Sequence, residues 1–173
     1  MPPPPDPAAQ DGEPDPHEVA RQIALRQLAL SPRSRAQLSR KLRDRGCDPV
    51  VADAVLDRMA EVGLVDDQAY AELLVRSQQA ARGLAKGALA QQLRAKGIEE
   101  DLVRDTVGAI AEETERDQAH RLVAKKLRTM HGVDASVQAR RLGAMLARKG
   151  YPSGLSWSVV QEALAGAPEH QRD

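Results

Sequence analysis

Few side chains in this sequence could carry out bond chemistry, and those few do not converge. The four histidines are His17, His120, His131 and His170. His120 and His131 lie eleven residues apart, and neither has a second histidine three or four residues away, the spacing of a helical histidine pair on a metal. Cys47 is the single cysteine, which excludes a disulfide framework and a thiolate cluster. Asp66 and Asp67 could form an acid–base pair or a cation site, but two acids opening a helix are ordinary capping and dipole residues. No glycine-rich phosphate loop follows a strand, because Gly83 and Gly87 fall in a helix connection. The pattern points to no enzyme, no metal and no cofactor.

What the sequence does concentrate is positive charge. The chain has 173 residues with 25 basic and 25 acidic side chains, yet residues 1–20 carry five acids and no base. Residues 21–45 hold eight bases against Asp44 alone, and residues 116–149 hold nine against Asp117 and Asp134. Acidic stretches separate the two, from Asp48 to Glu72 and from Glu99 to Glu115. The candidate binding cations are Arg33, Arg35, Arg40, Lys41, Arg43 and Arg45 in the first run, and Lys125, Lys126, Arg128, Arg140 and Arg141 in the second. Few have an acid four residues on to neutralise them. Their chemistry is neutralisation of an anionic partner, and on nucleic acid it would be sequence-blind and salt-sensitive. The only aromatics are Tyr70, Tyr151 and Trp157, too few to stack bases in the manner of RRM or OB folds. That scarcity also disfavours sandwiches and barrels.

The elements that must position these cations are helical, and they repeat. Gly46, Gly97 and Gly150 are each preceded at eight and four residues by leucine: Leu38 and Leu42, Leu89 and Leu93, Leu142 and Leu146. A base stands immediately before each glycine (Arg45, Lys96, Lys149), and apolar residues follow at five, ten and thirteen positions, ending with Met59, Ile110 and Ala163. Leucines four apart share a helical face, a terminal base suits the helix dipole, and the glycine is a left-handed cap. The downstream apolar positions trace the buried stripe of a second helix. Ser34 with Gln37 predicts a capping box, and Asp48 before Pro49 an N-cap followed by proline at the first helical position.

The spacing predicts helices over 18–30, 34–45, 49–62, 67–82, 86–96, 99–112, 114–130, 135–149 and 155–165, with no sustained strand alternation. The expected fold is all-α, with tandem repeats of a three-helix module. A leading helix occupies 18–32, followed by repeats over 33–83 and 84–131 and a shortened third over 132–166. Seven of the eleven prolines and four acids fall in residues 1–16, so 1–17 read as a disordered Pro-rich acidic tail, and 167–173 as a second tail. The segment lacks the pattern of a secretory signal, and nothing later is long and apolar enough for a membrane span. A lone cysteine fits a reducing cytoplasm.

Three stretches carry a resemblance to a known family. They are Arg33-Ser34-x-x-Gln37-Leu38-x-x-Lys41-Leu42-x-x-Arg45-Gly46, Gly63-Leu64-Val65-Asp66-Asp67-x-x-Tyr70-Ala71, and Leu89-x-x-x-Leu93-x-x-Lys96-Gly97-Ile98. Together they resemble the RecX family of bacterial regulatory proteins, over about residues 23–164. The resemblance implies an elongated, curved, cytoplasmic monomer without cofactor. It also implies binding to the RecA recombinase and its filament on single-stranded DNA, restraining filament growth, ATP hydrolysis, strand exchange and co-protease activity, and so recombination and the SOS response. From the family it carries over the basic face from Arg33 to Arg45. Ser34, Leu38, Leu42, Gly46, Asp66, Asp67, Tyr70, Gly97 and Gly150 are expected to be structural motif positions. The family tyrosine at Tyr70 is matched by His120 in the second repeat. A second function class fits the same charge: a sequence-nonspecific DNA-binding helical module contacting the backbone without RecA. A helical scaffold for protein partners is a third.

Overall fold

The structure, a computed structural model, describes residues 12–167. The expectations for residues 1–11 and 168–173 lie outside them. Nine helices and no strand form among the described residues: α1 (Pro16–Leu30), α2 (Arg35–Asp44), α3 (Pro49–Glu61), α4 (Asp67–Arg82), α5 (Lys86–Ala95), α6 (Glu100–Gly108), α7 (Glu112–Leu127), α8 (Ala135–Arg148) and α9 (Ser153–Ala165). The described residues up to Asp66 and those from Asp67 onwards make two compact units.

In the first unit, local chemistry fixes each helix end. Asp15 accepts from the His17 amide to start α1, two residues ahead of the helix expected at 18. Ser34 and Gln37 form the capping box of α2, and Asp48 accepts from the Val50 and Val51 amides ahead of Pro49. Gly46 stops α2 at φ +77°, and the Cys47 amide reaches back to the Leu42 carbonyl, satisfying an orphan acceptor. Ala20 and Ala24 of α1, Leu38 and Leu42 of α2, and Ala52, Val55, Leu56 and Met59 of α3 share one core. Each fully buried leucine contributes about 1.5–3 kcal/mol.

The three-helix period is as expected, but the modules are phased one helix earlier. The helix at the start of the chain is not a leader; it is the first helix of a module with α2 and α3. In the second unit α4 opens a module with α5 and α6, and α7 opens one with α8 and α9. The groupings 33–83 and 84–131 therefore each take in the wrong third helix, and the third module is complete rather than shortened. A two-helix hairpin leaves one apolar face bare, and the preceding helix covers it through a fully buried alanine: Ala20, Ala71 and Ala119. Four residues on stand Ala24, Val75 and Val123, also buried. Ala119 is thus the counterpart of Ala71, and the matching of His120 to Tyr70 by sequence is not spatial. Gly87 likewise lies within α5, not in a connection.

Within the second unit, α5 lacks a cap of its own. Twelve residues before Gly97, where Ser34 stands relative to Gly46, there is Ala85, and the Gln37 position is Ala88. No side chain caps α5 from Ala85. Its amides are met from the third module instead: Ala85 donates to the Lys149 carbonyl at 2.9 Å, and Lys86 to the buried Glu115 carboxylate at 2.8 Å. The turn ending α8 seats on the α4–α5 connection. Lys149 Nζ donates to the Arg82 carbonyl, and buried Tyr151 donates its hydroxyl to the Gly83 carbonyl at 2.8 Å. The approach is close enough that a Cβ on Gly150 would lie 2.3 Å from the Ala88 amide nitrogen, and one on Gly87 2.8 Å from the Gly150 carbonyl oxygen.

The repeated glycines should therefore respond differently to alanine. At Gly46 an added Cβ meets nothing within 4 Å, so Gly46→Ala should cost only the left-handed penalty, about 1–2 kcal/mol. Gly150→Ala, at φ +87° and against backbone, should cost at least twice that in urea unfolding; equal costs would contradict the close approach. Tyr151 supplies a pH test. Burial, reinforced by the Glu115 charge and opposed by Arg121, raises its phenol to about 12, so the fold stabilises the neutral form. That contribution is complete below about pH 10 and is lost as pH rises towards 12. Tyr151→Phe should be less stable than the parent by about 1–3 kcal/mol at neutral pH, from the unpaired Gly83 carbonyl. The deficit should shrink in melts run at successively higher pH above 10.

Candidate functional site

The eleven candidate cations separate into two sets, one in each unit. In the first, Ser34 and the Leu38–Leu42 stripe set the rotation of α2, and Arg40, Arg43 and Arg45 emerge exposed on its outer side. Lys41 and Arg33 are half-buried. Arg35 is already engaged: its guanidinium pairs with Asp57 at 2.7 Å and reaches the Asp53 carbonyl at 3.5 Å, tying α2 to α3. The second set lies on the third module. Lys125, Lys126 and Arg128 are exposed at the C-terminal end of α7, and Arg140 and Arg141 are exposed on α8. α7 has Glu112, Glu113 and Glu115 in its first turn and Lys125 and Lys126 in its last, a distribution that complements its dipole.

Among the described residues, no ion pair includes Arg33, Arg40, Lys41, Arg43, Arg45, Lys125, Lys126, Arg128, Arg140 or Arg141. Other bases of the same runs are spent on the fold. Arg116 pairs with Glu162 and donates to Ser158, and His120 lies 3.2 Å from the same carboxylate, joining α7 to α9. The Ser158 hydroxyl above all, against the opposing effect of burial and with the help of Arg116 and His120, holds the Glu162 carboxyl below its usual range. No group of three His, Cys, Asp or Glu among the described residues could hold a metal ion. No described helix is long and apolar enough to cross a membrane.

Ser34, Leu38 and Leu42 are buried, Gly46, Gly97 and Gly150 all have positive φ, and Asp67 lies in the first turn of α4. Tyr70 packs against the core of the second module. Sequence reading missed Glu115, which looked like one more acid in an acidic run, and Gln138, which is buried and donates to the Met130 carbonyl at 3.0 Å. Neither carries a local signal, because each serves a backbone group brought near only by folding.

Comparison with known proteins gives the same module phase. Family models described as the first, second and third three-helix domains of RecX match residues 20–59, 66–107 and 113–160. The chain is 47% identical over 158 residues to the regulatory protein RecX of Streptomyces coelicolor, covering 90% of this chain and 84% of that one. It is 42% identical over 168 residues to that of Mycobacterium avium, covering 96% of each. A crystal structure of RecX from Lactobacillus salivarius superposes with a TM-score of 0.79 at 19% identity, over 86% of this chain and 96% of that one.

If the α2 cations face solvent without structural duty, replacing Arg40, Lys41 and Arg43 together by Gln should change unfolding free energy by no more than about 1 kcal/mol. Leu42→Ala on the same helix should cost about 2–5 kcal/mol. A triple variant as unstable as Leu42→Ala in urea titrations would place those cations in the fold rather than on a binding face.

Proposed function

Because the chain belongs to the RecX family of regulatory proteins, we propose that it is a cytoplasmic, monomeric regulator of the RecA recombinase. It binds the RecA filament on single-stranded DNA and restrains filament growth, ATP hydrolysis, strand exchange and co-protease activity. The observation that supports this reading best is the match of all three modules, in order, to one regulatory family. The cations left without ion pairs in both units supply the means. Arg40, Lys41 and Arg43 on α2 and Arg45 at its C-terminal cap, with Lys125, Lys126, Arg128, Arg140 and Arg141 on the third module, can meet DNA phosphate or an acidic protein surface without first breaking an internal pair. The reading assigns no catalytic residue and no cofactor: the protein acts by occupying a surface.

The test is a titration of the purified chain into RecA hydrolysing ATP on single-stranded DNA. Substoichiometric protein should slow hydrolysis, and the Arg40, Lys41 and Arg43 to Gln variant should need several-fold more. Undiminished hydrolysis at equimolar protein and low salt would reject the reading. If bare DNA is then bound tightly at physiological salt, the chain is a nonspecific DNA-binding module acting without RecA.

A further inference from the structure

One cavity concentrates donors that the fold leaves unused. It lies in the first unit, has a volume of about 250 Å³, and is lined by Gln27 of α1, Arg33 of the connection, and Gln37, Leu38, Arg40, Lys41 and Asp44 of α2. Arg33 Nε is buried and finds no hydrogen-bond acceptor. A desolvated guanidinium N–H without an acceptor is unfavourable and calls for an anion. Gln37 accepts from the Ser34 amide at 3.0 Å, which turns its carbonyl oxygen towards the cap and leaves two N–H donors on its side-chain nitrogen. Three cations and the amides of Gln27 and Gln37 thus share the lining with one acid, Asp44, and among the described residues no ion pair engages Arg33, Arg40 or Lys41.

We propose that this cavity is a phosphate site that seats one phosphodiester group of a nucleic-acid backbone, with Arg33 as its anchoring donor and Arg40 and Lys41 balancing its charge. The donors come from α1, the connection and α2, hence from several directions. A tetrahedral anion can meet such a set, whereas a planar carboxylate is fully served by one guanidinium. No aromatic lines the cavity, so it holds backbone and reads no base. The source of the phosphate, the DNA strand of a nucleoprotein filament, rests on the regulatory reading above; the site's affinity for phosphodiester does not.

The experiment measures fluorescence anisotropy of a labelled deoxythymidine oligonucleotide with the full chain alone, across a salt series. The variants are Arg33→Gln, Lys41→Gln and, as a control of equal charge change, Arg58→Gln, whose arginine pairs with Glu61 on α3. Arg33→Gln and Lys41→Gln should each weaken binding about tenfold or more relative to the control, the scale of a charged hydrogen bond. Each should also flatten the salt slope by about 0.7, one phosphate on a single strand. Equal affinity and slope in all three variants would overturn the proposal. So would unchanged oligonucleotide binding combined with lost inhibition of RecA, which would transfer the cavity to an acidic protein surface and leave the regulatory reading intact. A chain without effect on RecA whose DNA binding still depends on Arg33 and Lys41 would sustain the phosphate site and remove only the regulatory reading. Melting curves separate loss of binding from loss of fold, since Lys41 lies outside the cap that starts α2.

Discussion

The amides that open α5 have to find acceptors, and their own sequence supplies none. In the first module Ser34 and Gln37 cap α2 reciprocally. At the corresponding places before α5 stand Ala85 and Ala88, small residues with nothing to offer an N–H group. The acceptors come from the third module, as the Lys149 carbonyl and the Glu115 carboxylate. Unsatisfied amides at a buried helix start would cost more than the contacts nearby return. The second module is therefore completed by the third, and their packing follows from this one requirement. The two alanines that forgo the cap also make room: Gly150 lies against Ala88 where a larger residue would hold the α8 turn away.

This explains why three glycines at matched positions are not equivalent. Gly46, Gly97 and Gly150 all end a helix with positive φ, the property that their spacing after paired leucines announces. Gly150 also admits another backbone to the place where its side chain would be, whereas a side chain on Gly46 would meet nothing within 4 Å. A shared local duty produces the repeat. An additional long-range duty, invisible in any single copy, distinguishes its members.

Charge is sorted by the same logic. The basic runs are plain in the sequence, and their outward projection follows from the leucine stripe. Which bases remain available does not follow. Arg35 is drawn to Asp57, Arg116 to Glu162 and Lys149 to the Arg82 carbonyl, each across a distance in sequence that no periodicity encodes. Arg40, Lys41, Arg43 and Arg45, with Lys125, Lys126, Arg128, Arg140 and Arg141, enter no ion pair among the described residues, so they have hydration to exchange for a partner and no internal pair to lose, and that makes a surface good at binding anions. Arg33 differs from Arg40 and Lys41, which line the same cavity, because its Nε is buried without an acceptor, where lost hydration makes one worth more.

By itself the sequence determined the helices, their caps and their period, because leucines four apart, a Ser–Gln capping box and a glycine stop act within one turn of the chain. It also determined the family, through the segments around Arg33-Ser34, Asp66-Asp67 and Leu89. It did not determine the phase of the modules, because a hairpin with a bare apolar face can be covered by the helix before it or the helix after it. That choice rests on Ala20, Ala71 and Ala119, whose small side chains carry almost no periodic signal and matter only when another helix lies on top of them. Tertiary structure decided that, as it decided the roles of Glu115, Tyr151 and Gly150, because their partners are backbone groups between 29 and 68 residues away, or closer than a Cβ allows.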